Sequence, residues 1–206
     1  IGLSKSIKDQ ETVSDAVWNI LIDGLFMTIT NVNFDAESIQ KQIDAVHAPS
    51  IYDLNQVWED NEDIRSLKSL ILFGLRGMAA YAHHAAMLGY QDQEVNHFFA
   101  QALAAIGEDL SGDELLPLVL KTGEINLKCM LDQANTESYG NPVPTTVPLT
   151  IEKGPFIVVT GHDLKDLKLL LEQTKDKGIN IYTHGEMLPA HAYPELKKYA
   201  HLKGNF

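Results

Sequence analysis

Cysteine is the scarcest reactive residue in this chain: one, Cys129, in 206 residues. A single thiol excludes an internal disulfide, and it excludes any all-cysteine zinc or iron–sulfur site built by these residues alone. Cys129 falls in INLKCML (125–131), where the apolar spacing reads as a helix face, so a small buried core residue is expected. Arginine is nearly as rare, with only Arg65 and Arg76, and positive charge is sparse altogether. There are 16 Lys and Arg against 28 Asp and Glu, a formal net charge of −12. Nucleic acids are bound through clustered Lys and Arg, so no nucleic-acid partner is expected. No run approaches the roughly 18 apolar residues of a membrane span, and residues 1–10 lack the apolar core of a signal peptide. No membrane partner is expected, and cytoplasmic residence is the default.

What charge there is lies unevenly. Residues 1–147 carry 21 acidic and 8 basic side chains, net −13, whereas residues 148–206 carry 7 and 8, net +1. The shift suggests two regions with different work.

The first region reads as helices from apolar residues spaced by three and four. Val17, Trp18, Leu21, Leu25 and Ile29 form one stripe. Asp35 can cap a second helix carrying Ile39, Ile43 and Val46, stopped before Pro49. A long helix is expected from about Asn61 to Leu88, with Ile64, Leu67, Ile71, Leu75, Met78 and Ala82 inward and Gly89 as its stop. Asp92 opens another, with Val95, Phe98, Phe99, Ala102 and Ile106 inward and Gly107 at its end. Ser111 and Glu114 make a capping box for a helix expected to reach about Asn135. Short connections between such helices predict a bundle over residues 1–140.

Residues 136–155, with Pro142, Pro144 and Pro148, read as the connection to a second region. There PFIVVTG is a short buried-type strand, DLKDLKLLLEQTKDK a helix capped by Asp163, and INIYTHG a second strand. Strand, helix and strand within about 30 residues make a βαβ unit with parallel strands. The expected fold is therefore mainly α: a helical bundle followed by an incomplete, Rossmann-like α/β unit over residues 148–206.

Ligands of open α/β sheets bind outside the carboxyl ends of the strands. His162 follows the first strand and Glu186 the second, so if the strands are neighbours, about 4.8 Å apart, both reach one crevice. His184 and His191 add to the possible ligands in THGEMLPAHAYP. Imidazole with carboxylate suits iron or zinc, but the spacing is not that of HExxH, and capping or hydrogen-bonded core histidines are the plainer alternative. VVTGHDL has one glycine where a dinucleotide loop has three, which leaves that function unsupported. His83 and His84 are adjacent on a helix and cannot share one face, so at least one is expected to face solvent. Arg76, on the same helix, is expected in a structural ion pair.

Five segments carry a resemblance: TNVNFD (30–35), NEDIRSLKSLILFGLRGMAAYAHHA (61–85), INLKCMLDQANTESYGNPVPTTV (125–147), TGHDLKDLKLLLEQT (160–174) and YTHGEMLPAHAYPELKKYAHLKGNF (182–206). In these the chain resembles the hybrid-cluster proteins, the prismane or hydroxylamine reductase family of cytoplasmic iron–sulfur oxidoreductases. The resemblance implies an N-terminal helical domain followed by α/β domains. It implies a conventional iron–sulfur cluster and an iron–sulfur–oxygen hybrid cluster, with hydroxylamine or nitric oxide as substrate and a separate electron donor. It also places hybrid-cluster ligand roles on His162 and Glu186. The family's remaining ligands, mainly cysteines, are expected before Ile1 and after Phe206. On that expectation these 206 residues alone hold no cluster and carry no activity.

Two other readings stand beside it. One is a mononuclear metal site of His162, His184, Glu186 and His191. The other is a helical association module, in which an uncovered sheet edge and apolar face drive homo-oligomerisation.

Overall fold

The computed structural model describes residues 1–29, 32–46, 51–129 and 131–206. Thr30 and Asn31 of TNVNFD, and the stop at Pro49, lie outside the described residues. Two compact units result, Ile1–Leu131 and Asp132–Phe206. The fold is mainly α with a small parallel sheet, as the apolar spacing predicts.

The first unit holds seven helices among the described residues: α1 (Gly2–Ile7), α2 (Asp15–Phe26), α3 (Ala36–Ala45), α4 (Asn55–Glu59), α5 (Glu62–Met87), α6 (Gln93–Ile106) and α7 (Gly112–Asn126). Their starts follow the capping residues. The side chains of Asp35, Asn61 and Asp92 accept from the backbone N–H groups of Glu37, Ile64 and Val95, and Ser111 with Glu114 forms the capping box. Helix α5 ends in a Schellman motif: Gly89 N–H reaches Ala86 O at 2.9 Å and Tyr90 N–H reaches Ala85 O at 3.0 Å. Gly89 sits at φ +89°, which a side chain would resist.

The inward stripes meet in one apolar core around Trp18, Ile71, Leu75, Met78, Phe99 and Ile106, all at most 1% exposed. Each such side chain contributes roughly 1.5–3 kcal/mol by leaving water. Helix α3 is different, since it buries none of its residues and Ile43 is 59% exposed.

The helix expected to run to Asn135 is broken. Helix α7 ends at Asn126, and Lys128 and Cys129 follow with i→i+3 bonds to Ile125 and Asn126, at 2.8 and 3.3 Å. A separate helix α8 (Leu131–Tyr139) begins the second unit. Cys129 thus lies in a turn, not on a helix, yet it is buried as expected. A tightened turn keeps the 125-to-129 spacing that a continuous helix would have, so periodicity alone could not reveal the break.

The second unit continues with β1 (Phe156–Val159), α9 (Leu164–Thr174), β2 (Asn180–Thr183), a 3₁₀ helix (Gly185–Ala192), α10 (Pro194–Lys197) and β3 (Leu202–Asn205). The sheet order is β1-β2-β3 and both pairings are parallel. The parallel βαβ topology stands as read, but β1 is not the buried strand expected: it lies at the sheet edge with Phe156 51% and Val158 45% exposed, and the covered strand is the central β2. Strand β3 is an addition, and Gly204 gives it room: a Cβ there would run into the Pro148 carbonyl oxygen. Residues 140–155 lie along this unit, with Val143 N–H on Ala192 O at 2.9 Å and Glu152 N–H on the Tyr182 hydroxyl at 2.8 Å.

Candidate functional site

The carboxyl ends of β1 and β2 are built alike. Phe156 pairs with Asn180 and Val159 with Thr183, an offset of 24 throughout the pairing. That same offset carries Thr160 to His184, Gly161 to Gly185 and His162 to Glu186. The first pair touches across the gap, with Thr160 Oγ1 and His184 Nδ1 at 3.5 Å. The second pair turns the chain in both cases, Gly161 at φ +123° and Gly185 at φ +56°. The third pair is the two ligand candidates, each three residues past the end of its strand.

His162 directly precedes the cap of α9, whereas Glu186 is already the second residue of the 3₁₀ helix. Asp163 caps α9 by accepting from Lys165 and Asp166 N–H at 2.8 and 3.1 Å, so this carboxylate is committed to the backbone. Glu186 lies in the first turn of the 3₁₀ helix. His162 and Glu186 are both exposed, and neither makes a hydrogen bond or ion pair among the described residues. Imidazole and carboxylate thus stand unengaged after the ends of two adjacent parallel strands.

The other candidates are placed elsewhere. His191 is 6% exposed, with its Nε2 at 2.8 Å from Thr183 Oγ1. Burial pushes its pKa below the ordinary histidine value. The mononuclear set of His162, His184, Glu186 and His191 therefore does not assemble: among the described residues no group of three or more His, Cys, Asp or Glu stands together to hold a metal ion. His191 was drawn into the core by a hydroxyl partner that spacing could not show.

His83 and His84 are both partly buried, against the expectation that one would be exposed. His83 bonds Asp23 through Nδ1 at 2.8 Å, and both rings contact Phe26, whose bulk on α2 covers the pair. Arg76 is not in an ion pair among the described residues; it donates to the Thr28 carbonyl just past the end of α2. A carbonyl at a helix end is an acceptor that charge patterns do not disclose. Thr183 and Asn205 were not foreseen, because a buried hydroxyl and amide have no sequence signature.

Comparison with known proteins decides the family. The profile described as Prismane/CO dehydrogenase family matches residues 1–206. The chain belongs to this family. Among its relatives are proteins named hydroxylamine reductase, 43% identical in Maridesulfovibrio salexigens over 97% of this chain and 43% of that protein. In Acetivibrio thermocellus the identity is 45%, over 90% of this chain and 40% of the relative. In Solidesulfovibrio magneticus it is 48%, over 88% and 40%. The chain thus spans about two-fifths of the length of the curated relatives it matches.

The donor set of this prismane-family chain fits part of an iron site. One nitrogen and one carboxylate donor suit iron, and both stand exposed and unengaged. The thiolates that an iron–sulfur cluster also needs are not among them. Cys129 belongs to the helical unit, is 5% exposed, and burial pushes its pKa up to about 12, so it stays a protonated thiol. None of the described helices is long and apolar enough to cross a membrane.

Proposed function

We propose that the chain is the part of a hydroxylamine reductase that offers iron its nitrogen and carboxylate ligands, His162 and Glu186. In this proposal residues 1–140 are the helical domain and residues 148–206 open the Rossmann-like domain. The whole enzyme is a cytoplasmic oxidoreductase with a hybrid cluster and a conventional iron–sulfur cluster, reducing hydroxylamine to ammonia with electrons from a separate donor. The observation that carries the assignment is the matched pair of turns, Thr160-Gly161-His162 and His184-Gly185-Glu186, on neighbouring parallel strands.

When bound, iron supplies Lewis acidity and electrons to an N–O bond. The chain's own residues do the rest. His162 presents a ring nitrogen on the turn before α9. Glu186 presents its carboxylate on the solvent side, where it can yield to a substrate and return. The two glycines let both turns form without side-chain strain. These 206 residues contain one thiol, and it is buried, so by themselves they assemble no cluster and turn over no hydroxylamine.

Two measurements test this. Titration with Mn(II), watched by NMR, is expected to broaden amide signals around Gly161 and Gly185 together, and His162→Ala is expected to abolish the effect at both. Broadening confined to one turn sinks the shared site. In the second, the chain is treated anaerobically with iron and sulfide, then assayed with a reduced dye and hydroxylamine. No stable charge-transfer colour and no turnover are expected; colour with turnover that vanishes in His162→Ala would show a working enzyme in these residues alone.

A further inference from the structure

Glu186 stands at the start of a 3₁₀ helix eight residues long. Such helices have poorly aligned hydrogen bonds, and runs beyond three or four residues are uncommon, so this one depends on its surroundings. Part of the support is apolar, from Met187 and Ala190, which turn inward and are at most 2% exposed. The rest is polar and buried. Thr183, the last residue of β2, is fully buried, and its hydroxyl oxygen lies 2.8 Å from His191 Nε2, 2.8 Å from Asn205 Oδ1 and 3.4 Å from the Gly204 carbonyl. His191 is the seventh residue of the 3₁₀ helix, and Asn205 ends β3.

The proton directions follow from the partners. Asn205 Nδ2 donates to the Phe206 carbonyl at 2.8 Å, which turns Oδ1 toward Thr183. That oxygen and the Gly204 carbonyl both only accept, and the amide oxygen is the nearer, at 2.8 against 3.4 Å, so the single hydroxyl proton of Thr183 goes to it. Thr183 Oγ1 is then left to accept from His191, whose proton sits on Nε2. The result is a one-way chain from His191 through Thr183 and Asn205 to a backbone carbonyl. Phe206 N–H closes the arrangement on the Thr183 carbonyl at 2.9 Å. Burial disfavours a charged His191, so the neutral ring this chain needs is the stable one.

We infer that Thr183, His191 and Asn205 are positioning residues: a buried hydrogen-bonded tie that pins the far end of the 3₁₀ helix to β2 and β3 and so fixes Glu186 at the strand edge beside His162. Whereas His162 and Glu186 are exposed, all three are buried, at most 8% exposed. They act through the backbone of residues 185–191, whose other end β2 already holds. Ligands perform only when their supports are themselves held by packing and hydrogen bonds. That Glu186 binds an ion rests on the function proposed above; the tie does not.

The test uses the whole chain. Thr183→Val keeps the shape and removes the hydroxyl, His191→Phe removes the donor, and His191→Gln puts an N–H donor back near the position of Nε2. In the first two, amide exchange over residues 187–192 is expected to speed up about ten-fold, as for one buried hydrogen bond lost, with α9 changing less than about two-fold. The Mn(II) concentration that half-broadens the two turns should rise by about ten-fold in the same variants. His191→Gln is expected to restore both readouts. Exchange that is unchanged, or faster by one factor throughout the unit, overturns the tie. If Thr183→Val or His191→Phe does not fold, His191→Gln and Thr183→Ser decide, since both keep the chain of donors and both must retain wild-type protection. Absence of broadening at the two turns in the unsubstituted protein would remove the ligand assignment, while the exchange data would still judge the tie.

Discussion

The helical unit and the α/β unit reach order by different means. The helical unit spreads its stability over many apolar side chains, with Trp18, Ile71, Leu75, Phe99 and Ile106 all out of water. Among the described residues its buried lysine, Lys68, is satisfied by Asp60 at 2.8 Å. The α/β unit has three strands of four residues each, and it ties β2, β3 and the 3₁₀ helix together with a few directional bonds around Thr183. Apolar packing is additive and non-directional, whereas a buried polar chain is worth having only when every member is paired. The first arrangement gives bulk stability; the second gives position, which a ligand site needs.

That contrast is sharpest where one side chain is removed from the apolar unit. Phe99→Ala is expected to cost about 3–5 kcal/mol, by lost burial and by the cavity left in α6, and urea unfolding followed by helical circular dichroism measures it. A cost below about 1 kcal/mol would mean that the core is loose and the comparison fails.

The same core should protect its thiol. Burial raises the Cys129 pKa from 9.0 to about 12, which makes the reactive thiolate about a thousand-fold rarer than in a free thiol at the same pH. Labelling with a disulfide reagent at mild pH is expected to slow by about that factor. Labelling at the rate of an unfolded peptide would show that the turn after α7 opens readily.

A smaller effect is expected from one methyl group in the α/β unit. Gly204→Ala would press a Cβ on the Pro148 carbonyl oxygen, a backbone atom with little freedom to retreat. The expected cost is about 1–3 kcal/mol, with the loss of exchange protection centred on β2 and β3. A neutral result would place the residues around Pro148 as a loose cover and not as part of the fold.

The smallest effect is a pH dependence. Burial lowers the His191 pKa in the folded unit, so the unfolded chain takes up the proton first as pH falls. Stability of the α/β unit is therefore full above the unfolded histidine value of about 6.5 and declines as pH drops through it, levelling off once the folded ring is also protonated. His191→Gln is expected to flatten that slope. Urea midpoints measured between mildly alkaline and mildly acidic pH, in both proteins, decide whether this group or the carboxylates set the acid limit.

Much of this was legible in the residues. The caps at Asp35, Asp92 and Ser111, the stop at Gly89 and the inward stripes of α5 and α6 are local: each follows from a side chain bonding a nearby backbone group or from a period of 3.6 residues. The parallel βαβ unit, with His162 and Glu186 after its strands, was legible for the same reason, because short apolar runs separated by one amphipathic helix leave few topologies.

What lay beyond the sequence depended on distant partners. Strand β3 carries Lys203 and Gly204 and shows no apolar alternation; it is a strand because β2 offers its edge and Pro148 requires a residue without a side chain. The turn at Cys129 hides behind an unchanged spacing. His191 looked like one more ligand until Thr183, eight residues away, and Asn205, 22 residues from Thr183, claimed it for the interior. From the residues alone came the main helices, the strands β1 and β2 and the side chains that follow their ends, because those depend on neighbours along the chain. Only folding decided which imidazole stays exposed and which is buried against Thr183, because a hydrogen bond is made between groups that the tertiary structure brings together.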